Sequence, residues 1–331
     1  MMVTRPLRRA DVPDVTALIH SFGWGQTSTD IEACLDSTET QTLGEFDTAT
    51  NQLVSMAVLQ LFTRRSTSDT GYGWLSYVAT APHARRRGLA SALITTLLST
   101  APQNVPIGLY GSPDGAPLYA ARFGFVDRGH ANLVELSTDA LRAIQCPTAP
   151  SGCALVPAAE VMSAITALDE LTSGVDRSAA LDRWAATTPE ACWALRSDAD
   201  GGEVVGFVLC RPLHPSGVFI GPLTCRNDAE AEALLRAALS SVPRETPLAQ
   251  MLTVDVWGGE GALPGPATDD EAPGEALELA TGRLGFARLG AVPSRLMVHG
   301  TRPPVPWVER AARARREGAT RPFAAAGFEF G

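Results

Sequence analysis

The stretch Trp74-Leu-Ser-Tyr-Val-Ala-Thr-Ala-Pro-His-Ala-Arg-Arg-Arg-Gly-Leu-Ala90 decides the reading of this chain. Residues 74–80 form an apolar run rich in β-formers, and Ala81-Pro82 ends it. From residue 88 to 99 Leu93, Ile94 and Leu97 then recur at helical spacing. The pattern is strand, tight turn, helix, with Arg85, Arg86, Arg87 and Gly88 in the turn. Free N–H groups at a helix N-terminus bind anions. Gly88 lets the backbone turn and approach a ligand, and adjacent guanidinium groups add charge and hydrogen-bond donors. The turn reads as a diphosphate site.

Working upstream, residues 3–7 read as a short strand and Asp11 as the N-cap of a helix that puts Val12, Val15, Leu18 and Ile19 on one face. Residues 28–37 read as a second helix, with Asp30, Glu32 and Asp36 beside its apolar face. Strands are expected over residues 42–47 and 53–62. Downstream come a strand over 107–111, a short helix over 117–123 capped by Ser112 and Asp114, and a strand over 133–136.

The Pro-rich segment 146–152 reads as a linker. Beyond it the plan repeats: a helix over 158–171, strands over 204–211 and 218–223, a helix over 228–240 and a strand over 252–257. An acidic Gly/Pro loop (258–274), a helix (275–284) and a strand (296–299) follow. Arg122-Phe-Gly-Phe125 recurs as Arg283-Leu-Gly-Phe286, and residues 93–99 match 234–240 at a constant offset of 141. Two copies of one unit are expected: residues 1–145, the linker 146–152, residues 153–300, and a tail 301–331 with a basic helix (307–317) and an apolar end.

The run from Val78 through Pro82 to Arg85-Arg-Arg-Gly-Leu-Ala90 resembles the acetyl-CoA motif of the GCN5-related N-acetyltransferase (GNAT) superfamily, with Arg85, Gly88 and Ala90 at its three defining positions. The resemblance implies an α+β fold of two tandem GNAT-like domains, each a mixed, mostly antiparallel sheet flanked by helices. It implies acetyl-CoA as co-substrate. Val78, Ala79 and Thr80 would pair their backbone with pantetheine, as in strand addition. Arg85, Arg86, Arg87, Gly88, Leu89, Ala90 and Ser91 would cradle the pyrophosphate, with Ser112 a further contact. Pro117-Leu-Tyr119-Ala-Ala-Arg-Phe-Gly124-Phe125 resembles the later family motif whose Tyr protonates the leaving thiolate; here Tyr119 stands five residues before the Gly, one more than the commoner spacing. The other reading of Tyr119 is a core tyrosine.

In the second copy the motif becomes Arg226-Asn-Asp-Ala-Glu-Ala231, and Ala280 stands where Tyr119 does in the first. Carboxylates repel a pyrophosphate, so this half is expected to have lost the cofactor and to wall the acceptor site. The chain resembles the enhanced-intracellular-survival type of aminoglycoside acetyltransferase, without its third domain. That resemblance implies a catalytic C-terminal carboxylate, here Gly331, with Glu329 as the alternative; a tail that merely closes the interface is the other reading.

Net charge is −9, with 36 acids against 27 bases, and every base is Arg. Bulk attraction to nucleic acid or anionic membrane is disfavoured. The absence of Lys excludes Schiff-base chemistry and fits codon bias in a GC-rich bacterial genome. The six Cys and five His are scattered, so no metal is expected, and the thiols read as cytoplasmic and reduced. The charged first residues lack the apolar core of a signal peptide, and no apolar run reaches membrane-spanning length. The expected reaction is direct acetyl transfer to a primary amine of a small molecule. A non-catalytic acyl-CoA-binding module and a protein acetyltransferase remain as alternatives. Trp24 and Asp30 are candidate acceptor contacts, on a rim whose Asp30, Glu32 and Asp36 would suit a cationic amine. The base is not readable: Glu45 and Asp47 are candidates, with surface charge the favoured reading of both, and the oligomeric state is open.

Overall fold

The computed structural model describes residues 1–64, 70–199, 201–256, 278–289, 294–300 and 321–325. The first half runs β1 (Met2–Arg5), α1 (Val12–His20), α2 (Ser28–Asp36), β2 (Thr40–Asp47), β3 (Leu53–Thr63), β4 (Thr70–Thr80), α3 (Leu89–Thr100), β5 (Ile107–Gly111), α4 (Ala116–Phe123), β6 (Phe125–Ser137) and α5 (Thr138–Arg142). The second runs β7 (Cys153–Pro157), α6 (Met162–Ser173), α7 (Ser178–Thr187), β8 (Trp193–Ser197), β9 (Val204–Leu213), β10 (Gly217–Cys225), α8 (Asp228–Ser241) and β11 (Leu248–Val256). A π-helical turn, Leu279–Arg283, leads to β12 (Ala287–Arg288), β13 (Ser294–His299) and β14 (Arg321–Ala325).

The periodicities explain most of these elements. Val12, Val15, Leu18 and Ile19 are the buried positions of α1. Asp11, expected as a helix cap, makes no side-chain cap; its carboxylate takes both Arg5 guanidinium nitrogens at 2.7 and 2.8 Å, and that pairing holds its pKa below the usual carboxylate value. Gly124 and Gly285, the repeat's shared glycines, both adopt positive φ (67° and 75°), which is where a helix-ending glycine is needed. The expected loop 258–274 and helix 307–317 lie outside the described residues.

One fourteen-stranded mixed sheet joins the two halves, where the repeat alone reads as two separate sheets. Its order is β1-β2-β3-β4-β5-β13-β6-β11-β14-β10-β9-β8-β7, with β12 on β6. The halves exchange strands. β13, from the second half, lies between β5 and β6, pairing Val298 with Gly108 and His299 with Phe125. β6, from the first half, pairs with β11 over nine residues, Leu248↔Ser137 to Val256↔Gly129. Only four residues of β6 were legible as a strand; it has 13, because it serves both halves.

Packing follows the exchange. Val134, Leu136 and Leu141 belong to the second half's core with Phe207, Leu234 and Leu239. A seam cluster joins Phe62, Tyr72, Trp74 and Tyr110 of the first half to Val175, Leu213 and Phe219 of the second. The Asp176 N–H donates to Thr63 O at 2.8 Å and the His214 N–H to Gly25 O at 2.7 Å, across the same seam. His20 and His214 stack there with ring centroids 3.7 Å apart.

At Gly71 an added Cβ would stand 2.3 Å from Val175 Cγ1, a close approach between the halves. Gly71→Ala is expected to lower stability by about 1–3 kcal/mol through overpacking, and by less in a Val175→Ala background. Denaturant unfolding of the four-membered cycle measures this, and zero coupling would mean that the halves do not meet there.

Candidate functional site

β4 and β5 run parallel but pair only at Gly73↔Ile107 and Trp74↔Gly108. Beyond these two positions the strands diverge, leaving residues 75–80 and 109–111 without a partner in each other. A bulge helps drive the split. Val58 faces Ser76 and Met56 faces Ala79, so β4 carries one extra residue, and Tyr77 takes a positive φ of 49°. The bulge turns Tyr77 toward the cluster under α1 and α2, while Val78 packs on the opposite face with Leu75 and Leu93.

The turn opening α3 lies at the wide end of this split. Arg86 (φ 62°) and Gly88 (φ 78°) both adopt left-handed backbone. A Cβ on Gly88 would meet no protein atom within 4 Å, so the conformation demands the glycine rather than crowding by the chain. Gly88 is the N-cap of α3 and no side chain caps the helix, which leaves its first N–H groups for an anion. Arg85, Arg86 and Arg87 are exposed, Leu89 and Ala90 half-buried, and Ser91 buried. Arg85 is held back toward the strand: its Nε donates to Thr80 O at 3.3 Å and its guanidinium lies 5.3 Å over Phe22. The Thr80 hydroxyl pairs with Ser55 Oγ at 2.7 Å, and Ser55 also donates to Ala79 O, pinning the end of β4.

Tyr119 comes from α4, across the split. Its ring is 7 % exposed, lies edge-on to Phe125 at 6.1 Å, and joins one cluster with Leu75, Leu93 and Ile94, against which Val78 packs. The ring thus packs in the core on the face of the sheet that carries α3, an environment that both readings of Tyr119 share. Burial pushes its pKa above the ordinary tyrosine value, which keeps the hydroxyl protonated at neutral pH. The Ser112 hydroxyl accepts from the Gly115 N–H at 3.2 Å, in the turn before α4.

The second half closes both features. The α8 N-terminus is capped by Asn227, which accepts from the Glu230 N–H at 3.0 Å. The Glu230 carboxylate, on a residue 2 % exposed, accepts from Arg226 N and Nε at 2.8 Å each. The anion position is filled by the chain's own acid. β10 and β11 also pair in parallel for only three residues, Val218–Ile220 on Ala249–Met251. Here β14 enters the split, pairing Leu223 with Ala324 and Leu252 with Ala325. Ala280, at the Tyr119 position, is fully buried.

Of the expected acceptor contacts, Trp24 lies 6.3 Å from Tyr77 and 5.5 Å from Phe22, which links it to the β4 bulge and to Arg85. Asp30 is 7 % exposed and belongs to a capping box: its Oδ2 accepts from the Thr27 N–H (2.9 Å) and hydroxyl (2.8 Å). Glu32 and Asp36 are both taken by Arg9, at 2.9 and 2.7 Å. The acidic rim is thus satisfied locally. Glu45 is buried inside the sheet and accepts from the Thr4 hydroxyl at 2.5 Å, while Asp47 accepts from the Ala49 N–H at 2.9 Å in the turn beyond β2. Gly331 and Glu329 lie outside the described residues. Arg183 of α7, which sequence reasoning passed over, reaches across the seam toward Asp30 and Tyr77. Among the described residues no cluster of His, Cys, Asp and Glu suits a metal, and no helix is long and apolar enough to cross a membrane.

Residues 16–125 match the Acetyltransferase (GNAT) family, and residues 165–255 match an Acetyltransferase (GNAT) domain. No curated protein is matched. Among solved structures, one from Pyrococcus horikoshii shares 17% identity at a TM-score of 0.66, covering 100% of this chain and 96% of that one. A GCN5-related N-acetyltransferase from Sphaerobacter thermophilus shares 15% at 0.59, covering 92% and 97%. A tandem GNAT protein from the clavulanic acid biosynthesis pathway shares 16% at 0.60, covering 92% and 99%. At such identities the likeness is one of fold. With an acetyltransferase match in each half, the chain carries two GNAT domains in tandem, the domains of an acyltransferase.

Proposed function

We propose that the protein is an N-acetyltransferase that binds acetyl-CoA in its first half only and transfers the acetyl group directly to a primary amine of a small molecule. The observation that carries this reading is the contrast between the two splits. The β4–β5 split faces an uncapped helix N-terminus with three exposed arginines, whereas the β10–β11 split holds β14 and its helix is capped by Asn227 and Glu230. Family domains of this kind use acetyl-CoA, which supplies the activated thioester when bound. The residues present fit it: unpaired β4 backbone for an extended amide-bearing arm, and free N–H groups with Arg86 and Arg87 for a pyrophosphate.

The chain's own residues then divide the work. The β4 backbone beyond the bulge offers N–H groups to the acyl oxygen as negative charge develops there. Tyr119, kept protonated by burial, is the candidate donor to the departing sulfur. The second half covers the acceptor side with α7 and β9, where Trp184 and Arg211 are buried, and this enclosure supports a small-molecule acceptor over a protein one.

Three outcomes test the reading. Isothermal titration is expected to give one acetyl-CoA site per chain. Changing Arg86 and Arg87 together to Ala weakens it about 10–100-fold, since charge-assisted bonds are the strong ones, while Asp228→Ala leaves it unaltered; two sites per chain would overturn the proposal. Tyr119→Phe is expected to lower kcat by ~10²–10⁴-fold with little change in KM for acetyl-CoA. Because the Tyr119 pKa is raised, its deprotonation should not limit the rate until above pH ~10, the unperturbed tyrosine value, and an alkaline limb near neutral pH that vanishes in Tyr119→Phe would contradict this assignment. A binding-only protein would release no CoA thiol with any amine.

A further inference from the structure

Tyr119 stands one helical turn after Gly115, and a helical side chain leans back over the turn before it. An added Cβ at Gly115 would lie 3.0 Å from Tyr119 Cε2, 3.6 Å from Tyr119 Cζ and 3.2 Å from Ser112 Oγ. The hydroxyl-bearing end of the phenol and the Ser112 hydroxyl therefore border one point, above Gly115. Gly115 has an ordinary helical backbone (φ −87°, ψ −35°), which any residue can adopt. Its missing side chain serves the gap between the two hydroxyl-bearing residues rather than the turn. The turn is held by its backbone: the Ser112 carbonyl accepts from the Gly115 and Ala116 N–H groups at 2.9 and 2.8 Å.

The two hydroxyls have contrasting surroundings. Tyr119 is buried, whereas Ser112 is exposed. Ser112 Oγ accepts from the Gly115 N–H at 3.2 Å, which occupies one lone pair and leaves the hydroxyl proton to give. Burial alone acts on the Tyr119 pKa, raising it, with no charged or hydrogen-bonding group among the described residues to offset it. This makes the donor role hard to perform unaided. An ordinary phenol has a pKa of ~10 and an ordinary thiol one of ~8.5, so a phenol gives its proton to a thiolate uphill even before burial. Burial steepens the climb. A tyrosinate left alone in an apolar cluster would take the proton back, so a second proton must arrive as the first leaves.

Resting on the acetyl-transfer reading above, we propose that the Ser112 hydroxyl acts through Tyr119 as a proton relay, joining the buried phenol to solvent across the gap that Gly115 keeps open. As the carbon–sulfur bond breaks and its electron pair goes to sulfur, Tyr119 gives its proton to the sulfur. Ser112 gives its proton to Tyr119 Oη and takes one from water. The proton displaced from the amine returns to water, so both hydroxyls end as they began. Ser112 directly follows β5, and Tyr119 lies in the cluster against which Val78 of β4 packs, so the relay enters from the β5 side of the split.

Fluorine NMR of the protein labelled with fluorotyrosine tests the link without any cofactor. The Tyr119 resonance is identified by its absence in Tyr119→Phe. Ser112→Ala, at an exposed position that does not endanger the core, is expected to move the ionisation of Tyr119 to higher pH by about one unit, because the tyrosinate loses a donor. Ser112→Thr keeps the hydroxyl and should leave the ionisation in place. With an amine that the wild type acetylates, Ser112→Ala should lower kcat about 10–100-fold, less than loss of the acid itself, with the calorimetric affinity for acetyl-CoA unaltered. Ser112→Thr should recover most of this loss, and Gly115→Ala, which fills the gap, should reproduce it. In a Tyr119→Phe background Ser112→Ala should have no further effect on kcat. An unchanged fluorine titration in Ser112→Ala, an equal loss of kcat in the Tyr119→Phe background, or weaker acetyl-CoA binding as the sole effect overturns the relay. If no amine of a panel is acetylated, the fluorine titration decides. A wild type that binds no acetyl-CoA overturns the acetyl-transfer reading and the relay together, whereas binding with an unchanged fluorine titration overturns the relay alone.

Discussion

In each half two parallel strands part company after two or three paired residues, and the backbone groups exposed by that parting must find partners. The rest of the molecule is arranged around this requirement. In the second half the chain meets it internally, by threading β14 between β10 and β11 and by folding Glu230 over the start of α8. In the first half β4 and β5 diverge around a bulge, toward a helix whose first turn is uncapped. The same architecture is thus self-contained on one side and left open on the other, where we propose that the cofactor binds.

What holds the split in place is the second half itself. β13 occupies the flank of β5, and the seam cluster presses Val175, Leu213 and Phe219 against Tyr72 and Trp74. Along the seam a Cβ at Gly25 or Gly71 would force a neighbour to move: Leu213 Cδ1 would lie 2.4 Å away at the first and Val175 Cγ1 2.3 Å away at the second. Close packing of this kind transmits position, so this face of β4 is shaped by residues that lie more than a hundred positions further along the chain.

Legibility in the sequence followed how local each feature is. The strand-turn-helix at residues 74–90 could be read because the apolar run, the proline and the glycine act within a few residues of one another. The degeneration of the second motif was legible for the same reason, since Asp228 and Glu230 sit inside the turn they alter. Strand exchange was not, because nothing in residues 125–137 names β11 or β13 as partners. β14 escaped notice because a five-residue strand wedged into a distant split leaves no periodic signature. The local use of Asp30 was legible but not read: Thr27 stands three residues before it, the spacing of a capping box, and the carboxylate accepts from Thr27. Arg183 was hidden in an ordinary amphipathic helix, and only tertiary structure turns it toward the first half.

The exchange of β6 and β13 also sets an order of events during synthesis. β5 and β6 have left the ribosome long before β13 exists, so the first half cannot complete its own sheet while it is being made. Its contacts span well over a hundred residues, and closing such loops is slow. Until the last third of the chain emerges, the unpaired edges of β5 and β6 are templates for wrong pairing with other chains. A tandem repeat of this design is therefore one folding unit, and neither copy is a module that can be lost, duplicated or shuffled without the other.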